Sequence, residues 1–213
     1  MTRTATTARV RDLLEDESSR TYAQEAGIRL KDTPQPLYQL LVLAHLLSAR
    51  IRAATAVSAA EALFAAGMRT PRRMREASWQ QRVDALGEGG YRRYDERTAT
   101  QLGEEAELVL DRYDGDLRRM REAAAGDVDA MREALQEMPG IGPAGADIFL
   151  REAQGIWPEL APYLDERVLE GARRTGLPTD PDALARLVPR EDLPAVAAAL
   201  VRASVGRGSG ATS

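Results

Sequence analysis

The segment Met138-Pro139-Gly140-Ile141-Gly142-Pro143-Ala144-Gly145-Ala146 holds the residue types and spacing best suited to chemistry. Pro139 stops a preceding helix. Gly140 and Gly142 open backbone angles closed to other residues and let a second chain come close. A helix starting at Pro143 presents free N–H groups and its positive dipole end. Together these make an anion site suited to one backbone phosphate. Carbonyls upstream in the same turn could bind a monovalent cation, Na+ or K+, that bridges to the phosphate. The plain alternative is an αα-hairpin with a glycine-rich turn, and the segment alone does not choose between them.

Other chemistries are excluded by composition. The 213 residues contain no cysteine and a single histidine, His45. Disulfides, thiolate zinc sites, iron–sulfur clusters, cysteine nucleophiles and multi-histidine metal sites are therefore absent. Of 29 basic residues only Lys31 is lysine, which leaves one side-chain amine for Schiff-base catalysis. The formal net charge is -4, mildly against a nucleic-acid binder, although the arrangement of charge on one face matters more than its sum. No apolar run reaches the length of a membrane span, and residues 1–20 alternate arginine and acid without a signal-peptide core. A cytoplasmic protein is expected.

The pattern that positions the segment is helical throughout. Ala, Leu, Arg and Glu dominate, and no alternating strand pattern occurs. Helices are expected over about Thr7 to Glu25, Pro34 to Arg50, Ile51 to Ala66, Asp95 to Tyr113, Asp127 to Glu137, Pro143 to Gln154, Asp165 to Arg174, Pro181 to Val188 and Glu191 to Ala203. Thr70-Pro71 and Ser78 mark two further helix starts. Apolar residues cover most of the circumference of Pro34 to Arg50, so that helix should be central and buried. His45 inside it reads as a satisfied core histidine. The tail from Gly206 is expected to be disordered.

Several stretches, taken together, resemble the endonuclease III-like DNA glycosylases, the HhH-GPD superfamily. MPGIGPAGADIFL is similar to that family's helix-hairpin-helix motif, and Tyr163-Leu164-Asp165-Glu166-Arg167 stands where the family carries its essential aspartate. PLYQLLVLAHLLSAR is similar to its opening barrel helix, TPRRM to its Thr-Pro helix start, Gly90-Tyr91 to a turn before a long helix, and RYDGDL to the link into the hairpin. The resemblance covers roughly residues 35 to 190. It implies an all-α, two-lobed fold. Residues 35–155 would form a helical barrel domain with the hairpin at about 127–154, and residues 1–34 with 156–205 a second lobe. The cleft between them would hold Asp165 facing the hairpin.

The same resemblance implies a function in DNA base-excision repair: cleavage of the N-glycosidic bond of a damaged or mismatched base in double-stranded DNA, by a monomer. Asp165 would be the catalytic acid, stabilising an oxocarbenium-like sugar or activating water. Gly142, Ala144 and Gly145 would donate N–H groups to phosphate, with Gly140 beside them. Gln136, Met138 and Ile141 would lend carbonyls to the monovalent cation. Arg50 stands where the family has its wedge glutamine, and Arg167 follows the aspartate in place of a histidine. Either could contact DNA. The lyase lysine of bifunctional relatives is Ala144 here, and the four-cysteine cluster loop has no counterpart. The expected enzyme is thus monofunctional and free of an iron–sulfur cluster.

Plainer roles stand beside these. Asp165 could simply cap the helix that follows it, and Gly145 could serve close packing. Arg50 and Arg52 could be solvated helix-end charge, as could the clusters Arg69, Arg72, Arg73, Arg75, then Arg92-Arg93, then Arg118-Arg119. Tyr38, Trp79 and Trp157 read as packing residues, and Tyr91 and Tyr94 as packing or as the walls of a base pocket. The alternative function is a helix-hairpin-helix DNA-binding protein without catalysis. An Asp165 buried against an arginine, or turned outward on the opposite surface, would remove the basis of the enzymatic reading and leave kinship of fold.

Overall fold

The structure is a computed structural model, and it describes residues 3–16 and 19–205. The expected disordered tail from Gly206 lies outside the described residues. Among them are thirteen α-helices and no strand, so the all-α expectation holds. The helices are α1 (Arg3–Glu15), α2 (Tyr22–Glu25), α3 (Pro34–Ser48), α4 (Ala53–Ala65), α5 (Pro71–Glu76), α6 (Trp79–Glu88), α7 (Asp95–Tyr113), α8 (Arg118–Ala124), α9 (Val128–Gln136), α10 (Pro143–Ala153), α11 (Glu166–Thr175), α12 (Pro181–Ala185) and α13 (Leu193–Val205). No described helix is long and apolar enough to cross a membrane.

The chain separates into two compact units. One runs from Tyr22 to Leu150, and the other combines the described residues up to Thr21 with those from Arg151 onward. The larger unit is built on α3, where Leu37, Tyr38, Leu40, Leu41, Val42, Leu43, Ala44, His45 and Leu46 are all buried. Few surface helices bury consecutive residues in this way, and the sequence shows it as leucines on every side of the helix. Around α3 the elements start and stop where local chemistry dictates. Thr70 accepts the Arg73 N–H ahead of Pro71. Ser78 and Gln81 form a reciprocal capping box. Asp127 accepts the N–H groups of Asp129 and Ala130. Buried Arg82 ties three helices together, donating to the carbonyls of Met74, Ala77 and Ala99 at 2.7–3.0 Å.

The second unit has its own core, in which Val10 of α1 joins Leu164, Val168, Ala172, Leu177, Leu184, Val196, Ala197, Leu200 and Val201. Its closest approach is between α11 and α13: a Cβ placed on Gly171 would lie 1.9 Å from the Leu200 carbonyl oxygen. Asp180 caps α12, and Gly176 ends α11 in the left-handed conformation at φ 68°.

Three expectations need correction. The helix expected from Thr7 to Glu25 is interrupted, because α1 ends at Glu15 and α2 begins only at Tyr22. There the Ser19 hydroxyl takes the Leu14 carbonyl at 2.9 Å, a local bond that competes with helix continuation. Helix α8 was not foreseen in RYDGDLRRM; Asp116 begins it, accepting the Arg118 N–H at 3.0 Å while Met120 turns inward. Trp79, expected in packing, is 41% exposed, with its indole N–H donating to the Thr100 hydroxyl at 3.1 Å.

Candidate nucleic-acid interface

The hairpin consists of α9, the turn 137–142 and α10, all in the larger unit except the last turn of α10. Pro139 follows the end of α9, and Gly140 takes φ 84°, a conformation that strains any residue with a Cβ. Pro143 is the first residue of α10, and the Ala146 N–H closes the first turn on the Gly142 carbonyl at 3.0 Å. The amides of Gly142, Ala144 and Gly145 therefore stand in the opening turn, where backbone donors have no intrahelical acceptor. Pro143 lacks a donor and loses nothing there.

The glycines differ in what surrounds them. A Cβ on Gly142 would meet nothing within 4 Å, so that face of the turn is open. A Cβ on Gly145 would lie 3.3 Å from Ile141 Cγ2 and 3.4 Å from Ser48 Cβ, so this buried residue is a packing glycine. A Cβ on Gly140 would collide with the His45 ring, 2.3 Å from Cε1. Ala144 is exposed. Of the carbonyls suited to a monovalent cation, that of Met138 accepts the Ile141 N–H at 3.0 Å and retains its second lone pair. Gln136 is the last residue of α9, while Met138 and Ile141 are buried in the turn. No cluster of His, Asp or Glu among the described residues could hold a metal ion.

Charge around the hairpin is mixed. Glu137 pairs with Arg112, and Asp147 with Arg132 at 2.8 Å. Arg50 is exposed in the turn after α3, and Arg52 precedes α4. Among the remaining arginine clusters, Arg73 pairs with Glu76, Arg118 with Asp116 and Arg119 with Asp114. Asp116 is held below the usual carboxylate range by its bond from Arg118.

Asp165 lies in the other unit, at the head of α11. Its Oδ1 accepts the N–H groups of Arg167 and Val168 at 3.0 and 3.1 Å. Its Oδ2 is ion-paired with Arg151, and the two side chains are only 11% and 8% exposed. The capping role is thus present, and the half-buried acid is paired with a buried arginine, which weighs against the enzymatic reading. The Arg167 side chain is exposed on the first turn of α11. Buried Gln154 fixes the approach to Asp165, its amide donating to the Tyr163 carbonyl at 3.1 Å and accepting the Tyr163 N–H at 3.0 Å. Trp157 of this unit is fully buried, and Tyr91 of the larger unit is also a core residue.

Sequence reasoning missed Arg151 and Glu105. Glu105 lies wholly buried on α7 and accepts or shares a proton with His45 Nδ1 at 2.9 Å. The signal for Arg151 was its place directly after the apolar triplet Ile148 to Leu150, where a charge needs a buried partner.

No known family profile matches the sequence. No curated protein matches it either. Solved structures do. The chain is similar to a thermostable thymine-DNA glycosylase, with a TM-score of 0.63 at 17% identity over 98% of this chain and 88% of that one. It is similar to endonuclease III in a non-covalent DNA complex, with a TM-score of 0.51 at 19% identity over 92% of this chain and 84% of that one. Endonuclease III in a trapped covalent intermediate with DNA gives a TM-score of 0.50 at 18% identity over the same shares. At these identities the likeness establishes the fold alone, an all-α fold shared with these thymine-DNA glycosylase and endonuclease III structures.

Proposed function

We propose that this protein binds the sugar–phosphate backbone of double-stranded DNA through the hairpin, and that it serves base-excision repair. The observation that carries this reading is the turn itself. Gly140 is left-handed, Gly142 is open to the outside, and three amides stand in an opening helical turn headed by a proline. A phosphate there would accept charge-assisted bonds from backbone donors, needing no side chain. A monovalent cation on the carbonyls of Gln136, Met138 and Ile141 would add positive charge on the same side. Exposed Arg50 and Arg167 are cations for further phosphate or base contacts. The fold shared with DNA glycosylases supports the reading without deciding the chemistry.

A second, finer reading is excision: monofunctional cleavage of an N-glycosidic bond with Asp165 as the acting carboxylate and no lyase step, in agreement with Ala144 in the lyase position. The place of Asp165 at the head of α11 supports it. The Arg151 pair opposes it, because a guanidinium on Oδ2 works against stabilising a cationic sugar. Excision therefore requires that Arg151 leave Asp165 when DNA is bound, and binding without catalysis is the reading that the free protein favours.

The test is incubation with duplexes carrying oxidised, alkylated, deaminated or mismatched bases, followed by alkali to reveal abasic sites. Duplex binding with no base release establishes binding alone. Base release that Asp165→Asn abolishes establishes excision. Absence of duplex binding at low salt overturns both.

A further inference from the structure

The turn that would hold the phosphate is one residue thick. Gly140 is exposed on its outer side, yet on its inner side a Cβ would lie 2.3 Å from His45 Cε1, 2.4 Å from His45 Nε2 and 3.1 Å from Gln101 Oε1. The imidazole edge is therefore the surface on which the left-handed backbone of Gly140 rests. Both side chains of the His45–Glu105 pair are almost wholly buried, 3% and 0% exposed, and His45 Nδ1 is 2.9 Å from Glu105 Oε2. One bond thus fixes the ring on a helix of the core and aims its far edge at the hairpin.

The same end of α3 supports the second glycine of the hairpin. Ser48 donates its hydroxyl to the His45 carbonyl at 2.7 Å, and its Cβ lies 3.4 Å from where a Gly145 Cβ would stand. His45 and Ser48, one turn apart, thus underlie both Gly140 and Gly145.

Stability alone does not account for the pair. Glu105 Oε1 and the Tyr38 hydroxyl are buried without a hydrogen-bond partner among the described residues. A carboxyl in that position opposes folding, and an apolar pair of similar volume would serve the core at least as well.

We propose that His45, held by Glu105, is the positioning residue of the hairpin: its ring edge sets the backbone of Gly140 and so aims the amides of Gly142, Ala144 and Gly145 at a phosphate. This inference rests on the DNA-binding reading given above and adds the residue pair that makes the site.

The experiment measures binding of an undamaged duplex oligonucleotide by fluorescence anisotropy over a series of salt concentrations. The proteins are the full chain, His45→Leu, Glu105→Leu and Glu105→Gln, with circular dichroism confirming that each is folded at the assay temperature. Gln keeps an acceptor for the Nδ1–H and so keeps the ring in place, whereas Leu at either position releases the backbone of Gly140. His45→Leu and Glu105→Leu should bind about tenfold more weakly, the loss expected when hydrogen bonds to one charged group are misaligned. The slope of log affinity against log salt should stay near that of the full chain, because backbone amides carry no charge that releases counterions. Glu105→Gln should keep both affinity and slope. A purely structural role would lower the melting temperature of the Leu variants and leave the affinity of the folded protein unchanged. If His45→Leu does not fold, Glu105→Leu decides, since its ring is present but unheld. Wild-type affinity in a folded Leu variant overturns the inference. Failure of the unsubstituted chain to bind any duplex instead overturns the reading on which it rests.

Discussion

Asp165 has two structural duties before any catalytic one. It satisfies two amides of α11 and neutralises a buried arginine. Asp165→Ala should therefore cost about 2–4 kcal/mol in urea unfolding, combining a lost cap with an uncompensated buried charge. Asp165→Asn keeps an acceptor for the amides and should lose less. Any activity measured on the alanine variant needs that control. Burial also pushes the Glu105 carboxyl above its usual range, against the opposing bond from His45. The folded protein thus favours the protonated acid. The contribution of this site to stability is full below the ordinary carboxyl pKa and is lost as pH rises through the raised one. Glu105→Gln does not titrate there, so its melting temperature should exceed that of the unsubstituted chain increasingly from acid to neutral pH. A constant difference over that range would show that Glu105 does not titrate in this way. Asp165 was legible from its spacing after the hairpin motif. Its partner was not, since a charged residue on an amphipathic helix points to solvent by default and only the folded chain brings residues 151 and 165 together. Glu105 escaped for the same reason.

Among the elements, the caps were the most readable. Thr70-Pro71, Ser78, Asp127 and Asp165 each sit where the side chain closes a helix start, because capping is local chemistry written in a few consecutive residues. Helix α8 was not visible, since RYDGDLRRM buries only Leu117 and Met120 and its starting acid looks like part of a turn. The break after α1 depends on a side chain competing with the backbone, which periodicity does not reveal. Close helix pairs were also hidden. Gly171 reads as an ordinary glycine in α11, yet it is where α13 comes nearest. Gly171→Ala should destabilise the protein by about 1–3 kcal/mol as the two helices are forced apart, measured by denaturant unfolding. A loss far below that range would mean α13 can shift freely.

For the molecule as a whole, the all-α glycosylase fold was legible from motifs spread over most of the chain, although no single one sufficed. Function is less legible, because the residues that would recognise a base are scattered over several helices. The net charge of -4 sharpens one expectation. Long-range attraction to a polyanion is weak or repulsive, so binding must come from local phosphate contacts. Affinity for duplex DNA should fall steeply between about 50 and 200 mM salt, and a log–log slope near zero in anisotropy titrations would remove the phosphate grip.

The two tryptophans fall one to each compact unit and in opposite surroundings, Trp79 largely in solvent and Trp157 fully enclosed. The chain therefore carries its own pair of optical reporters. Opening of the α11–α13 unit should move the emission of Trp157 to longer wavelength, while Trp79, already wet, barely changes colour. With Trp79→Phe the remaining signal would follow that unit alone, and a duplex contact near α6 would be seen as quenching of Trp79 with Trp157 silent.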